Sequence, residues 1–160
     1  MPTPFPTLRS VVLDTTSARG LAEFYRQLLG YDYRPGDECP PAGRPDPAGE
    51  DWLVLLDPAG HARVAFQQVG TLTPSTWPAD GVPQQLHLDL GVPTVEALAA
   101  QHERALSLGA RLLQDRSEDA VEPLYVYADP AGHPFCILVA DPRSSTPEAP
   151  AARTHPAAST

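Results

Sequence analysis

Large apolar side chains recur at spacings of three and four along residues 21–28, where Leu21, Phe24, Tyr25 and Leu28 share one face of a helix. Ser17 stands where an N-cap belongs, and Gly30 where a left-handed residue ends a helix. A second stripe, Val95, Leu98, His102, Ala105 and Leu106, follows Thr94 as its cap and stops at Gly109. Outside these helices the apolar runs are short and rich in β-branched and aromatic residues: VVLDT (11–15), WLVLL (52–56), ARVAFQQV (62–69), LHLDL (86–90), LYVYA (124–128) and PFCILVA (134–140). YDY (31–33) and ARLL (110–113) supply one further short strand after each helix.

The pattern repeats. The pentapeptide Asp-Pro-Ala-Gly-His occurs at 57–61 and again at 129–133, 72 residues apart, each time between two strand-like runs. Its chemistry is that of a tight turn: Asp accepts from backbone N–H groups further along, Pro presets φ, and Gly takes φ > 0. Each copy therefore predicts a β-hairpin, and each half of the chain reads strand, helix, strand, strand, turn, strand.

The 20 prolines mark where this order is interrupted. Residues 34–50 read as a long loop and 70–84 as a connecting stretch. Residues 141–160 carry almost no large apolar side chain and are expected to be a disordered tail. The resulting division is a first module over 8–70, a connector over 71–84 and a second module over 85–140, within one domain.

A formal net charge of −9 repels phosphate backbones and anionic lipid surfaces, so neither nucleic acid nor membrane is an expected partner. No apolar run is long enough for a membrane span, and MPTPFPTLRS lacks the order of a signal peptide, which points to the cytoplasm. Cys39 and Cys136 sit in unlike settings and are expected as free thiols.

Two β-α-β-β-β modules, the helix end FYRQLLG in the first, HLDL opening the second and DPAGHPFCIL closing it together resemble the vicinal oxygen chelate superfamily of glyoxalases, bleomycin-resistance proteins and extradiol dioxygenases. The resemblance covers about residues 8–140. It implies an α+β fold in which tandem β-α-β-β-β modules form a curled, open-barrel mixed sheet with helices outside. Strands near 8–14, 62–69, 85–91 and 134–140 would line a small-molecule pocket, and family members also pair or exchange modules, so a homodimer is one arrangement it allows.

Metal-dependent members hold a divalent ion through His, Gln or Glu on the opening and closing strands. Matched motif to motif, His87 falls on one such position and Cys136 falls where a Glu would stand, while the first module offers Ser10 and Val64, or Val12 and Phe66. His87 and Asp89 share a strand face, but a complete ligand set is missing. The expectation is a pocket without a resident metal or cofactor. Its candidate ligand-binding residues are His87, Asp89, Cys136, Phe66, Trp52 and Tyr127, and His87 is the candidate catalytic group.

Each of these has a structural reading beside the functional one. His87 can serve as a base or be hydrogen-bonded within the sheet. Cys136 can be a nucleophile, but core packing fits it better. Trp52, Phe66, Tyr125 and Tyr127 can stack on a planar ligand or fill the core, and Trp77 can close over the pocket or cover the seam. Asp14 and Asp89, each following a leucine, occupy similar places in the two halves. The leading function is metal-free binding or sequestration of a drug or metabolite. A metal-dependent lyase, isomerase or dioxygenase, or an acid–base enzyme using His87, stays open beside it.

Overall fold

The computed structural model describes residues 5–140. In chain order its elements are β1 (Val11–Thr15), α1 (Ala18–Leu29), β2 (Asp32–Tyr33), β3 (Trp52–Leu56), β4 (Ala62–Gln68), β5 (Leu88–Val92), α2 (Val95–Leu108), β6 (Arg111–Arg116), β7 (Leu124–Ala128) and β8 (Pro134–Val139). They form two four-stranded sheets of the same topology, β1-β4-β3-β2 and β5-β8-β7-β6. In each, the opening strand runs parallel to the closing one and the other pairs are antiparallel. The expected α+β duplication is present, and the curled surface stays open, as two sheets and not a closed barrel. The expectation of disorder over 141–160 lies outside the described residues.

The helix ends follow local chemistry with one exception. Gly30 (φ 66°) and Gly109 (φ 107°) close the helices in left-handed geometry, and Thr94 accepts the Ala97 N–H at 3.2 Å. Ser17 makes no side-chain cap bond. Its role falls to Gln68 at the end of β4, whose Oε1 accepts the Ala18 N–H at 2.8 Å. The parallel pairing sets Gln68 opposite Thr15, and from there the longer side chain reaches the helix terminus.

One hydrophobic core runs through both modules. Tyr25 stacks on Phe66 (ring centroids 5.8 Å apart) and meets Phe135 edge-on at 6.1 Å, while Phe135 stacks on Tyr127 at 5.0 Å. Phe66 and Tyr127, expected among the ligand-facing residues, are instead fully buried in this core. The helical stripe on α1 is buried or half-buried along its length. On α2 only Leu98 and Ala105 are buried, while Val95 and Leu106 face water.

Strand alternation separates core-facing from open-facing residues. Val11, Leu13, Leu53, Leu55, Val64 and Phe66 in the first sheet, and Leu88, Leu90, Phe135 and Ile137 in the second, belong to the core. The two hairpins are not superimposable residue for residue. In the second, pairing proceeds evenly from Ala128↔Pro134 to Val126↔Cys136. In the first, Leu56 pairs with Ala62 but Leu55 with Val64, so Arg63 is an extra residue in a β-bulge. Beyond the bulge the repeat offset is 71 residues instead of 72, and every later side chain changes face relative to a direct alignment. The counterpart of Cys136 is therefore Ala65, and the match to Val64 or Phe66 is corrected: both point to the core.

A similar correction applies to the acidic pair. Val12 pairs with Ala65 as Asp89 pairs with Cys136, which makes Val12 the counterpart of Asp89 and Gly91 that of Asp14. Asp14 and Asp89 are not equivalent.

The candidate functional site

Two features occupy the open side of the sheets. The first is a donor cluster on the second module. His87 lies just before β5 and Asp89 within it, and their side chains share one side, with His87 Nε2 3.5 Å from Asp89 Oδ1. Cys136 is the register partner of Asp89 on β8. One donor atom from each of the three lies within 4.8 Å of the others. His87 and Asp89 are exposed and Cys136 is half-buried. Burial first, and the negative charge of Asp89 second, push the Cys136 thiol up to about 11. Near neutral pH it is a neutral S–H group and a poor nucleophile. Sequence reasoning named all three residues but joined them only in pairs; the parallel register of β5 and β8 brings Cys136 into the group.

The first module supplies no matching donors. The counterparts of His87, Asp89 and Cys136 are Ser10, Val12 and Ala65. The donor set is one nitrogen, one oxygen and one sulfur, all from a single sheet. It meets the donor number of a three-ligand zinc site, but thiol sulfur is an ill match for a hard, oxygen-preferring ion such as Mn(II).

The second feature is an open groove of about 1070 Å³ on the first module. Trp52, Val54 and Leu56 from β3 form its apolar floor, and Arg34, Arg63 and Arg9 stand around it. Trp52 was named from sequence; the arginines were not. The bulge that carries Arg63 is invisible in a hydrophobicity pattern, and Arg9 lies outside any helix or strand, just before β1.

A polar network between the modules also went unforeseen. The buried Asp129 accepts the Tyr25 hydroxyl at 2.9 Å and lies 3.0 Å from His133 Nδ1. Burial opposes the charge on His133, but Asp129, together with the backbone and charge of Asp14, outweighs it and raises the imidazole above its ordinary value. Trp77, in the connector, is half-buried.

The family model for a glyoxalase-like domain matches residues 10–138, the stretch that holds both modules. The chain belongs to the glyoxalase-like domain family. Solved structures agree on the fold. A glyoxalase/bleomycin resistance protein/dioxygenase family enzyme from Burkholderia phytofirmans is 18% identical, with a TM-score of 0.59 over 82% of this chain and 96% of that one. The fosfomycin resistance protein FosX from Listeria monocytogenes is 13% identical, with a TM-score of 0.61 over 88% and 98%. The same FosX has been solved with Mn(II) and sulfate, at a TM-score of 0.58, 13% identity and coverage of 88% and 97%. No curated protein matches this chain in sequence. Within this glyoxalase-like chain no helix among the described residues is long and apolar enough to cross a membrane.

Proposed function

We propose that this glyoxalase-like chain binds a small drug or metabolite in the first-module groove and does so without a resident metal. The observation that carries this reading is the position of Trp52, a half-buried indole on the floor of an open cavity large enough for a drug-sized molecule. The donor-poor first module supports it, since Ser10, Val12 and Ala65 leave the His87 cluster one-sided. A thermal-shift screen of planar metabolites and antibiotics against chelator-treated protein tests the reading. A ligand at about one hundred times its Kd adds roughly 2.7 kcal/mol to stability. The expected result is a raised Tm for at least one compound that Trp52→Ala abolishes. Stabilisation untouched by Trp52→Ala, or none across the panel, overturns it.

The convergence of His87, Asp89 and Cys136 favours a second reading, a zinc-dependent enzyme. These residues would hold the ion, which when bound would polarise an oxygen of the substrate. Stoichiometric zinc in protein purified without chelator, lost on Cys136→Ser, would establish the site. A metal-free acid–base role for His87 would instead show as turnover abolished by His87→Ala.

A further inference from the structure

Cationic groups around the groove stand out in a chain whose net charge is −9. Arg9, Arg34 and Arg63 all line it, beside the apolar floor of Trp52 and Leu56. Two of the arginines have carboxylate partners, each of which also accepts backbone N–H groups through its other oxygen. Asp37 is buried and accepts the Val54 N–H through Oδ2 at 2.8 Å, meeting Arg34 through Oδ1 at 3.0 Å. Asp57 accepts the Ala59 and His61 N–H groups through Oδ1 and meets Arg63 Nε through Oδ2 at 2.7 Å. His61 Nδ1 lies 3.5 Å from the same Asp57.

Each guanidinium thus uses one N–H on its carboxylate, and the rest of its fork has no partner among the described residues. Arg9 makes no ion pair or side-chain hydrogen bond among them. The carboxylates fix where the guanidinium groups stand and do not line the groove themselves. Arg63 is there because of the bulge: without the extra residue the strand would bring no side chain to that point of the rim.

We infer that the groove selects a small anion, a flat apolar body carrying one carboxylate or phosphate-type head, with the body against Trp52 and the head among Arg34, Arg63 and Arg9. Planar, multi-oxygen anions match the guanidinium fork, and a flat body matches the indole. This inference rests on the groove being the binding site proposed above and adds the chemical class of its occupant.

The test follows the Trp52 indole N–H resonance of the full chain, assigned with Trp52→Phe, during titration with benzoate, phenylphosphonate and the uncharged benzyl alcohol. At least one anion should shift it with an affinity about tenfold or more above benzyl alcohol, and higher salt should weaken that binding. Arg34→Gln and Arg63→Gln should each weaken it about fivefold to tenfold. Those two variants leave a carboxylate behind, so Arg9→Gln, which leaves none, is the control for folding and should also weaken binding. Whichever anion binds more tightly identifies the head. Equal binding of anions and alcohol, with no effect of the three variants, overturns the charge selection while the groove remains a binding site. No shift with any of the three probes overturns the anion inference. The binding site itself then stands or falls on the Trp52-dependent thermal-shift screen.

Discussion

At the scale of single residues, the informative positions are those where burial and charge act together. Cys136 is held neutral by burial and by Asp89, so alkylation in a Cys39→Ser background should follow an apparent pKa near 11. Asp89→Asn removes the second cause and should lower that value, speeding iodoacetamide labelling at pH 8; an unchanged rate would show that burial acts alone. Asp129 is more demanding. Its side chain accepts the Tyr25 hydroxyl, two backbone N–H groups and the His133 ring in a site closed to water. Asp129→Ala strands those donors and should cost about 3–5 kcal/mol in urea unfolding, against roughly 1–2 kcal/mol for Tyr25→Phe. Comparable losses for the two would mean that the turn tolerates the missing carboxylate.

Elements show how much a hydrophobic pattern reveals. WLVLL and LYVYA occupy β3 and β7 to the residue because each is a short apolar run bounded by a turn motif. The duplicated turns are also near-identical in bonding. Asp57 and Asp129 each accept N–H groups two and four residues ahead at 2.9–3.0 Å. What escaped the pattern was the face each side chain takes in β4. One inserted residue at Arg63 reverses the alternation without altering composition, so Phe66 read as ligand-facing is core, and Arg63 is at the groove. Tyr127, also read as ligand-facing, is core for another reason: its hydroxyl, which suits a pocket, is satisfied by His102 Nδ1 at 2.8 Å. The loop over 34–50 looked irregular, and it is, but Arg19 on α1 ties it down through Asp46 at 2.7 Å and the Asp37 carbonyl at 2.7 Å. Arg19→Ala should speed amide hydrogen exchange across that loop while leaving the second module unaffected; uniform acceleration would point to global destabilisation instead.

At the scale of the whole molecule, the two modules are joined by chemistry as well as by packing. His133 is raised above 6.5 in the folded state by Asp129 and Asp14, one group from each module, with burial working against them. The stabilisation from its charge is therefore complete below the ordinary value and is lost as pH rises through the raised one. Unfolding free energies across this range should fall more steeply with pH in the wild type than in His133→Gln, and parallel profiles would remove His133 from the pH dependence. The two-module organisation was legible because the turn is duplicated verbatim. The coupling between modules was not, since no local pattern in the sequence connects Tyr25 with a residue more than a hundred positions away.

That hydroxyl-to-carboxylate bond changes what the repeat means for the chain as a physical object. The Oδ2 atom of Asp57 is met by Arg63 of its own hairpin, whereas that of Asp129 is met both by His133 of its own hairpin and by a tyrosine from the other half. The first copy's bonds stay within its hairpin; the second adds one from across the molecule. A chain divided within the connector should yield an amino-terminal piece with some residual order and a carboxy-terminal piece that collapses alone. Mixed together, the two pieces should regain near-ultraviolet circular dichroism by assembling as a heterodimer. One copy of the motif closes on itself and the other is also tied to α1, so neither sheet is a spare for the other.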